Sequence, residues 1–367
     1  MTPFEKFSTT RRELSASMIE REQEIDLVLT ALVAQEHVLL VGPPGTGKSM
    51  LSDALVSWMQ GEKFSLLVNK FTVPEEVFGP ISVAGLKADE YRRITKGKLP
   101  SADVAFIDEI FKASSAILNT TLQILNERTF RNDGTLVQCP LKLCLAASNE
   151  WPGDKEGGNE LGALFDRFLL RKLVKPIASD KSLNRLLWDR DLVPKLSTTL
   201  DAAELASATA DAQALTWEST ATEALLEIHR EAKREGITPG DRRLRKAVKA
   251  SQAYAWLQGA ASVEPDHLEI LSHVLWDDPT EQPRKLAEIV GKVAKPSGMK
   301  INGLLMEAEQ VIGSIDLKDL AKTSLAMKKL TEIGKQLLTI PGPRAEQARD
   351  YVRSESKRIK LATVEAI

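Results

Sequence analysis

The chain has 367 residues, 43% of them hydrophobic and 27% charged, an ordinary balance for a globular protein of two or three domains at about 150 residues each. Its 49 Lys and Arg against 51 Asp and Glu leave a net charge of −2, so no whole-chain basic signature for nucleic acid exists. The balance is uneven: from Glu281 to the end the chain carries +5, and the remainder carries −7.

In chain order, residues 1–12 mix Glu, Lys, Thr and Arg without an apolar stretch, so no secretory signal is expected. No run approaches about 18 apolar residues anywhere, so no transmembrane helix is expected and the cytoplasm is the expected location. Residues 37–41 form a short apolar run, and 46–59 read as a helix. Between them Gly42-Pro43-Pro44-Gly45-Thr46-Gly47-Lys48-Ser49 fits G-x-x-x-x-G-K-[ST], in the strand–loop–helix setting that gives the motif its meaning. Its glycines let backbone N–H groups converge on phosphate oxygens; Lys48 is expected at the β- and γ-phosphates and Ser49 on Mg²⁺.

A second apolar run covers 64–69, and 79–100 breaks into Gly, Pro and charge, an insertion rather than core. Residues 103–107 form a third apolar run ending in Asp108-Glu109. Asp108 is expected to support Mg²⁺ and Glu109 to polarise the attacking water; the plain alternative is an acidic cap for the helix over 115–127. Asn132-Asp133-Gly134, between 129–131 and 135–138, is a hairpin signal. Cys139 and Cys144 lie in strand-like sequence and read as free buried thiols; they and the four histidines form no metal-ligand pattern. The run 141–147 leads to Asn149, either a turn residue or the amide that orients a catalytic water. Arg167, between Asp166 and Phe168 ahead of the last strand at 168–174, is either paired with Asp166 or an arginine finger for a neighbouring subunit. Short apolar strands alternating with helices imply a parallel sheet covered on both faces.

Past residue 176 strand signals vanish. Helical patterns cover 202–212, 217–234, 242–258 and 265–275, a Pro-bearing break falls at 277–283, and the helical tail is interrupted at 295–298 and 340–343. Arg242 and Arg243 open one of these helices. One of them can bend back onto the γ-phosphate while the other is solvated or paired; Arg242 is the preferred candidate. The basic face of Arg349, Arg353 and Lys357 is interspersed with Asp350 and Glu355 and reads as a solvated helix face rather than a nucleic-acid footprint.

With these residues in view, the sequence resembles the MoxR family of AAA+ ATPases, close to the RavA (regulatory ATPase variant A) branch. The resemblance is carried by Leu40-Val41-Gly42-Pro43-Pro44-Gly45, Phe71-Thr72-Val73-Pro74-Glu75-Glu76-Val77-Phe78-Gly79-Pro80, Phe106-Ile107-Asp108-Glu109-Ile110-Phe111-Lys112-Ala113, Ile124-Leu125-Asn126-Glu127-Arg128-Thr129-Phe130-Arg131-Asn132 and Ala146-Ala147-Ser148-Asn149-Glu150. It implies a P-loop αβα sandwich with a parallel sheet over 1–190, an all-α lid over 191–280 and a C-terminal helical region over 281–367. The insertions near 79–100 and 129–138 would face the centre of a ring, usually a hexamer. It further implies ATP and Mg²⁺ as cofactors, a chaperone-like remodelling or maturation role on protein clients, and a von Willebrand factor A-domain partner. The β-rich insertion of RavA has no counterpart after Pro283. The alternative is a nucleic-acid-acting AAA+ machine of the clamp-loader or helicase kind.

Overall fold

A computed structural model describes residues 1–149, 164–294, 297–313, 320–340 and 343–365. Glu150 of the resemblance, and Lys295, Pro296, Pro341 and Gly342 of the two helical breaks, lie outside the described residues.

Two helices that periodicity alone did not reveal come first, α1 (Pro3–Ser17) and α2 (Glu22–Ala34). A capping box starts α1: Glu5 N donates to Thr2 Oγ1 and Thr2 N donates to Glu5 Oε2, with Pro3 in the first turn. Buried over nearly its whole length, α2 carries no one-sided apolar stripe. β1 (Val38–Val41) leads into α3 (Lys48–Trp58), then β2 (Lys63–Leu67), two short helices α4 (Pro74–Phe78) and α5 (Val83–Leu86), β3 (Val104–Asp108) and α6 (Ser115–Glu127). The hairpin β4 (Thr129–Asn132) and β5 (Thr135–Gln138) turns at Asp133 and Gly134, both at positive φ, the conformation an Asp-Gly turn favours. β6 (Leu143–Ser148) and β7 (Leu170–Leu173) complete the sheet, whose order is β2-β3-β6-β1-β7 with every pairing parallel. β1 and β6 are buried throughout and β3 nearly so, which is why they read as unbroken apolar runs; β2, at the edge, alternates. This is the parallel α/β sandwich the sequence implies.

The strand registers define two edges. Val41 pairs with Ser148 and Leu173, and Leu67 pairs with Asp108, at the carboxyl edge. Val38 pairs with Leu145 and Leu170 toward the amino edge. α6 ends at that amino edge, where His37 ties it to the sheet. His37 Nδ1 accepts from Cys144 N at 3.0 Å, so Nε2 carries the proton and faces Leu125 O at 3.0 Å. Burial pushes His37 well below the usual imidazole range, so it is a neutral structural group. Cys139 and Cys144 are free and buried, and burial pushes their thiols up to about 11 and about 12.

Further helices are α7 (Asp180–Trp188), also unforeseen, α8 (Ala202–Gln213), α9 (Ser219–Arg234) and α10 (Asp241–Leu257); Pro265–His273 is a 3-10 segment rather than an α-helix. The chain divides into two compact units. One holds Met1–Thr216, Gly236–Ser262 and Ile270–Arg284, in which α2 packs on α10 and α8, and Phe7 meets Trp58 and Trp256 edge-on at 5.0 and 5.3 Å. The other holds Trp217–Glu235, Val263–Glu269 and Lys285–Ile367. Within it the helices Ser297–Gly313, Leu320–Leu338 and Pro343–Glu365 close around Leu304, Ala308, Leu330, Ile333, Leu337 and Val352.

Candidate nucleotide site

The loop from Gly42 to Gly47 lies at the carboxyl edge, between β1 and α3. Gly42 N donates to Ser148 O at 3.0 Å, and a Cβ on Gly42 would fall 2.3 Å from Val174 O, so only glycine lets the loop pass this close to the end of β7. Gly45 and Gly47 both adopt positive φ, and a Cβ on Gly45 would meet nothing within 4 Å. The result is an open concavity of backbone at a helix N-terminus, which suits an anion. Pro43, Pro44 and Ser49 are exposed along it, Thr46 is buried, and Thr46 Oγ1 donates to Pro43 O at 2.9 Å. The Lys48 ammonium donates to Gly42 O at 2.7 Å and Pro43 O at 2.9 Å. Burial depresses it below the ordinary lysine range, while Asp108 and Glu109 pull the other way and Arg21 adds to the depression.

Asp108 ends β3, and Asp108 Oδ1 accepts from Glu109 N at 2.9 Å. Glu109 holds a left-handed backbone, φ 54°, which swings it out of the strand direction. Its Oε2 is buried and accepts no hydrogen bond, although the Lys112 ammonium stands 3.3 Å away. Asn149 follows β6 at the same edge, and its Oδ1 is likewise buried with no donor among the described residues. Two adjacent strands thus deliver a carboxylate oxygen and an amide oxygen beside the 42–47 loop, and water is a donor that can satisfy both. Ser49, at the start of α3, and Asp108 are oxygen ligands of the kind Mg²⁺ takes, so the residues present fit the ion.

Sequence reasoning missed Glu20 and Arg21, which no local motif marks. Arg21 is buried and donates from Nε to Thr46 O at 2.9 Å, from Nη1 to Glu20 O at 2.6 Å and from Nη2 to Lys175 O at 2.9 Å. It staples the phosphate loop to the segment after β7. Glu20 accepts from the backbone of Ala178 and Ser179 at 2.8 and 3.1 Å. Desolvation pushes its carboxyl up, but the bonds from Ala178, Ser182 and Ser179 outweigh this and hold it at about 2.

Arg167 and Arg242 lie elsewhere. Arg167 precedes β7 at the amino edge and donates to Asp166 Oδ2 at 2.9 Å, the local pair named as its alternative. Arg242 is exposed and bonded to Asn126 at the end of α6, so it too sits at the amino edge. One strand, about 10 Å at ~3.3 Å per residue, separates that edge from the phosphate loop. Arg242 therefore does not bend back onto the loop of its own chain, contrary to the sequence expectation; α10 docks its N-terminus below the sheet rather than over the loop. Arg243 is buried against Asp166, Leu169 O and Val274 O, making it the paired member of the two. Arg167, Arg242, Arg243 and Lys246 line one pocket with Asp166 and Leu169.

The 79–100 insertion also reaches the amino edge. Arg93 N donates to Asn132 Oδ1 at 2.7 Å, Asn132 Nδ2 to Arg93 O at 3.1 Å and Tyr91 N to Asp133 Oδ1 at 3.0 Å, so the insertion is tied to the hairpin turn. Phe78 stacks on Phe130 at 5.8 Å beneath them. Val83, Leu86, Tyr91, Ile94, Leu136 and Val137 remain exposed.

Comparison with known proteins agrees with this geometry. Residues 5–209 match a family model described as the MoxR domain in the MoxR-vWA-beta-propeller ternary systems, and residues 220–290 match an AAA lid domain. An uncharacterised protein of Methanocaldococcus jannaschii is 35% identical over 360 residues, 97% of this chain and 90% of its own length. A second uncharacterised protein of that archaeon is 37% identical over 306 residues, 83% of this chain and 79% of its own. A crystal structure of a candidate ATPase from Cytophaga hutchinsonii superposes with a TM-score of 0.63 over 79% of this chain and 94% of its own, at 15% identity, a likeness of fold. Among the described residues no helix is long and apolar enough to cross a membrane.

Proposed function

The chain belongs to the MoxR family of AAA+ proteins, and from that premise we propose that it is an ATP-hydrolysing, ring-forming remodeller or maturation factor for protein complexes, of the RavA-like kind. The observation that carries the reading is the pair of buried oxygens, Glu109 Oε2 and Asn149 Oδ1, which accept no hydrogen bond among the described residues and lie beside the loop that presents Lys48.

Lys48 and the backbone of 42–48 bind and orient the β- and γ-phosphates. Ser49 and Asp108 would hold Mg²⁺, which would neutralise phosphate charge when bound. Glu109 takes a proton from the attacking water, and Asn149 fixes that water's direction. Arg167 and Arg242, remote from the loop of their own chain, are assigned to the nucleotide of a neighbouring copy, where their planar guanidinium groups stabilise charge on the transferred phosphoryl group. A hexamer is the ring we assign. The joined insertions carry six exposed apolar side chains beside Lys87, Arg92, Lys96 and Lys98, and are assigned to protein clients. The matched family model, named for ternary systems with a vWA protein, supports a von Willebrand factor A-domain partner. A cytoplasmic location belongs to the same proposal.

The test is ATP turnover by purified protein with Mg²⁺, together with capture of proteins on the Glu109→Gln variant. Mg²⁺-dependent turnover lost in that variant, with one or more proteins retained in an ATP-dependent way, is the expected result. No turnover by wild-type protein at any Mg²⁺ concentration would overturn the reading, and stimulation by DNA would redirect it to nucleic acid.

A further inference from the structure

At the amino edge two carboxylates gather three guanidinium groups. Asp166 Oδ1 accepts from Arg243 Nη2 at 2.7 Å, and Asp166 Oδ2 accepts from Arg167 Nη1 at 2.9 Å. Arg171 Nη2 stands 3.9 Å from Asp166 Oδ1, beyond hydrogen-bond reach. Asp277 Oδ1 accepts from Arg171 Nη1 at 3.0 Å and lies 3.8 Å from Arg243 Nε.

The three arginines differ in what else holds them. Arg171 has a fully buried side chain, donates to Phe168 O at 2.9 Å and to Trp276 O, and lies over the Phe165 ring at 3.6 Å. Arg243, 4% exposed, donates to Leu169 O, Val274 O and Asp166 O besides the carboxylate. Both stay fixed by backbone carbonyls without the Asp166 charge. Arg167 is 27% exposed, and among the described residues its hydrogen bond is the one to Asp166. A long side chain held by one half-exposed carboxylate is weakly restrained: the pair orients it yet releases it readily to a phosphate, which binds a guanidinium more strongly in a water-poor site. The same carboxylate is bonded to Arg243, the residue next to Arg242 on α10. Asp166 therefore links Arg167 to the start of α10, at the residue adjacent to Arg242.

We propose that Asp166 is the positioning residue of the arginine edge, holding Arg167 in register with α10 so that Arg167 and Arg242 are presented together to the nucleotide of a second copy, an inference that rests on reading Arg167 as an intersubunit group. Asp166 acts through Arg167 rather than by contact with the nucleotide or the attacking water.

The experiment is a steady-state ATPase comparison of Asp166→Asn, Arg167→Ala and the double variant, followed by subunit mixing. Asp166→Asn should lower kcat about tenfold while KM for ATP stays within about twofold, since the phosphate loop is untouched. The double variant should be no slower than Arg167→Ala alone, because Asp166 has nothing to position once Arg167 is gone. In assemblies shown to be mixed, Asp166→Asn should regain activity with Glu109→Gln and regain none with Arg167→Ala. A residue that merely steadied its own chain's fold would show the opposite pattern. Unchanged kcat, a multiplicative double variant, or recovery with Arg167→Ala would each overturn the proposal. If Asp166→Asn does not fold, Asp166→Glu serves: it keeps the charge on a longer stem, should give an intermediate kcat, and must fall in the Arg167 mixing group. If Arg167→Ala itself keeps full kcat, or fails to recover activity with Glu109→Gln, the intersubunit reading has failed and takes the Asp166 proposal with it; that failure is recognised because it needs no Asp166 variant to appear.

Discussion

The two edges of the sheet are built in different ways. At the carboxyl edge, 42–49, Asp108-Glu109 and Asn149 each follow directly on an apolar strand, so backbone geometry alone delivers them to one place. At the amino edge, groups distant in sequence meet: Arg243 with Asp166 across 77 residues, Arg171 with Asp277 across 106 and Arg242 with Asn126 across 116. Binding a phosphate is a local task for a loop and a helix N-terminus. Joining the lid helix, the last strand and α6 is a long-range task, and side chains perform it.

If the carboxyl edge is the chemical one, its largest response is Glu109→Gln. An amide cannot take the proton from water, so kcat should fall by about 10²–10⁴-fold with ATP binding retained, as read by single-turnover hydrolysis beside equilibrium binding. Hydrolysis at the wild-type rate would reduce Glu109 to a helix cap and erase the contrast between the edges. Lys48→Ala comes next. Losing a charged phosphate contact worth about 1.5–3 kcal/mol should weaken ATP binding roughly 10- to 150-fold, measured by titration calorimetry, while the protein still melts cooperatively.

The same contrast decides what the sequence revealed. The sheet, α6, the hairpin turn and the placement of 42–49, Asp108-Glu109 and Asn149 at strand ends were legible because each is signalled within about ten residues. The α2 helix was not, since a helix buried on all sides shows no stripe, and α7 was passed over although its apolar residues keep helical spacing. The position of Arg242 was misjudged because nothing local tells whether α10 docks over the loop or below the sheet; the deciding contacts, Lys246 to Glu36 at 2.5 Å and Arg243 to Leu169 O at 3.2 Å, are tertiary. Arg21 was invisible for the same reason.

Arg21 sharpens the comparison, being the long-range element of the local edge. Arg21→Ala removes the donor from Thr46 O and Lys175 O, so the loop should lose its anchor. ATP affinity should drop about tenfold and stability by about 1–3 kcal/mol. Arg21→Lys should not restore either, because a compact ammonium cannot span three carbonyls that a planar fork reaches. Full rescue by lysine in calorimetry and thermal melts would show that charge alone matters there.

The smallest effect is expected at the far end of the amino edge, where the insertion meets the hairpin. Gly79 brings the chain in at φ 98°, with a Cβ there falling 1.9 Å from Ile94 O, so the insertion folds back tightly on its own base. Beyond that base it is held to the hairpin by Asn132 and Asp133. Asn132→Ala deletes one acceptor and one donor facing Arg93 and leaves the Asp133 bond to Tyr91 in place. The loss of about 1 kcal/mol should speed hydrogen exchange at the Arg93 amide by roughly fivefold. Exchange along β6 and both ATPase constants should stay unchanged, because no bond of the phosphate loop is altered. Faster exchange at Arg93 and Tyr91 together would mean that the two tethers open as one, and the insertion and hairpin then move as a single body. Slower ATP turnover in this variant would connect the edges directly and dissolve the division between a local chemical edge and a long-range coupling edge.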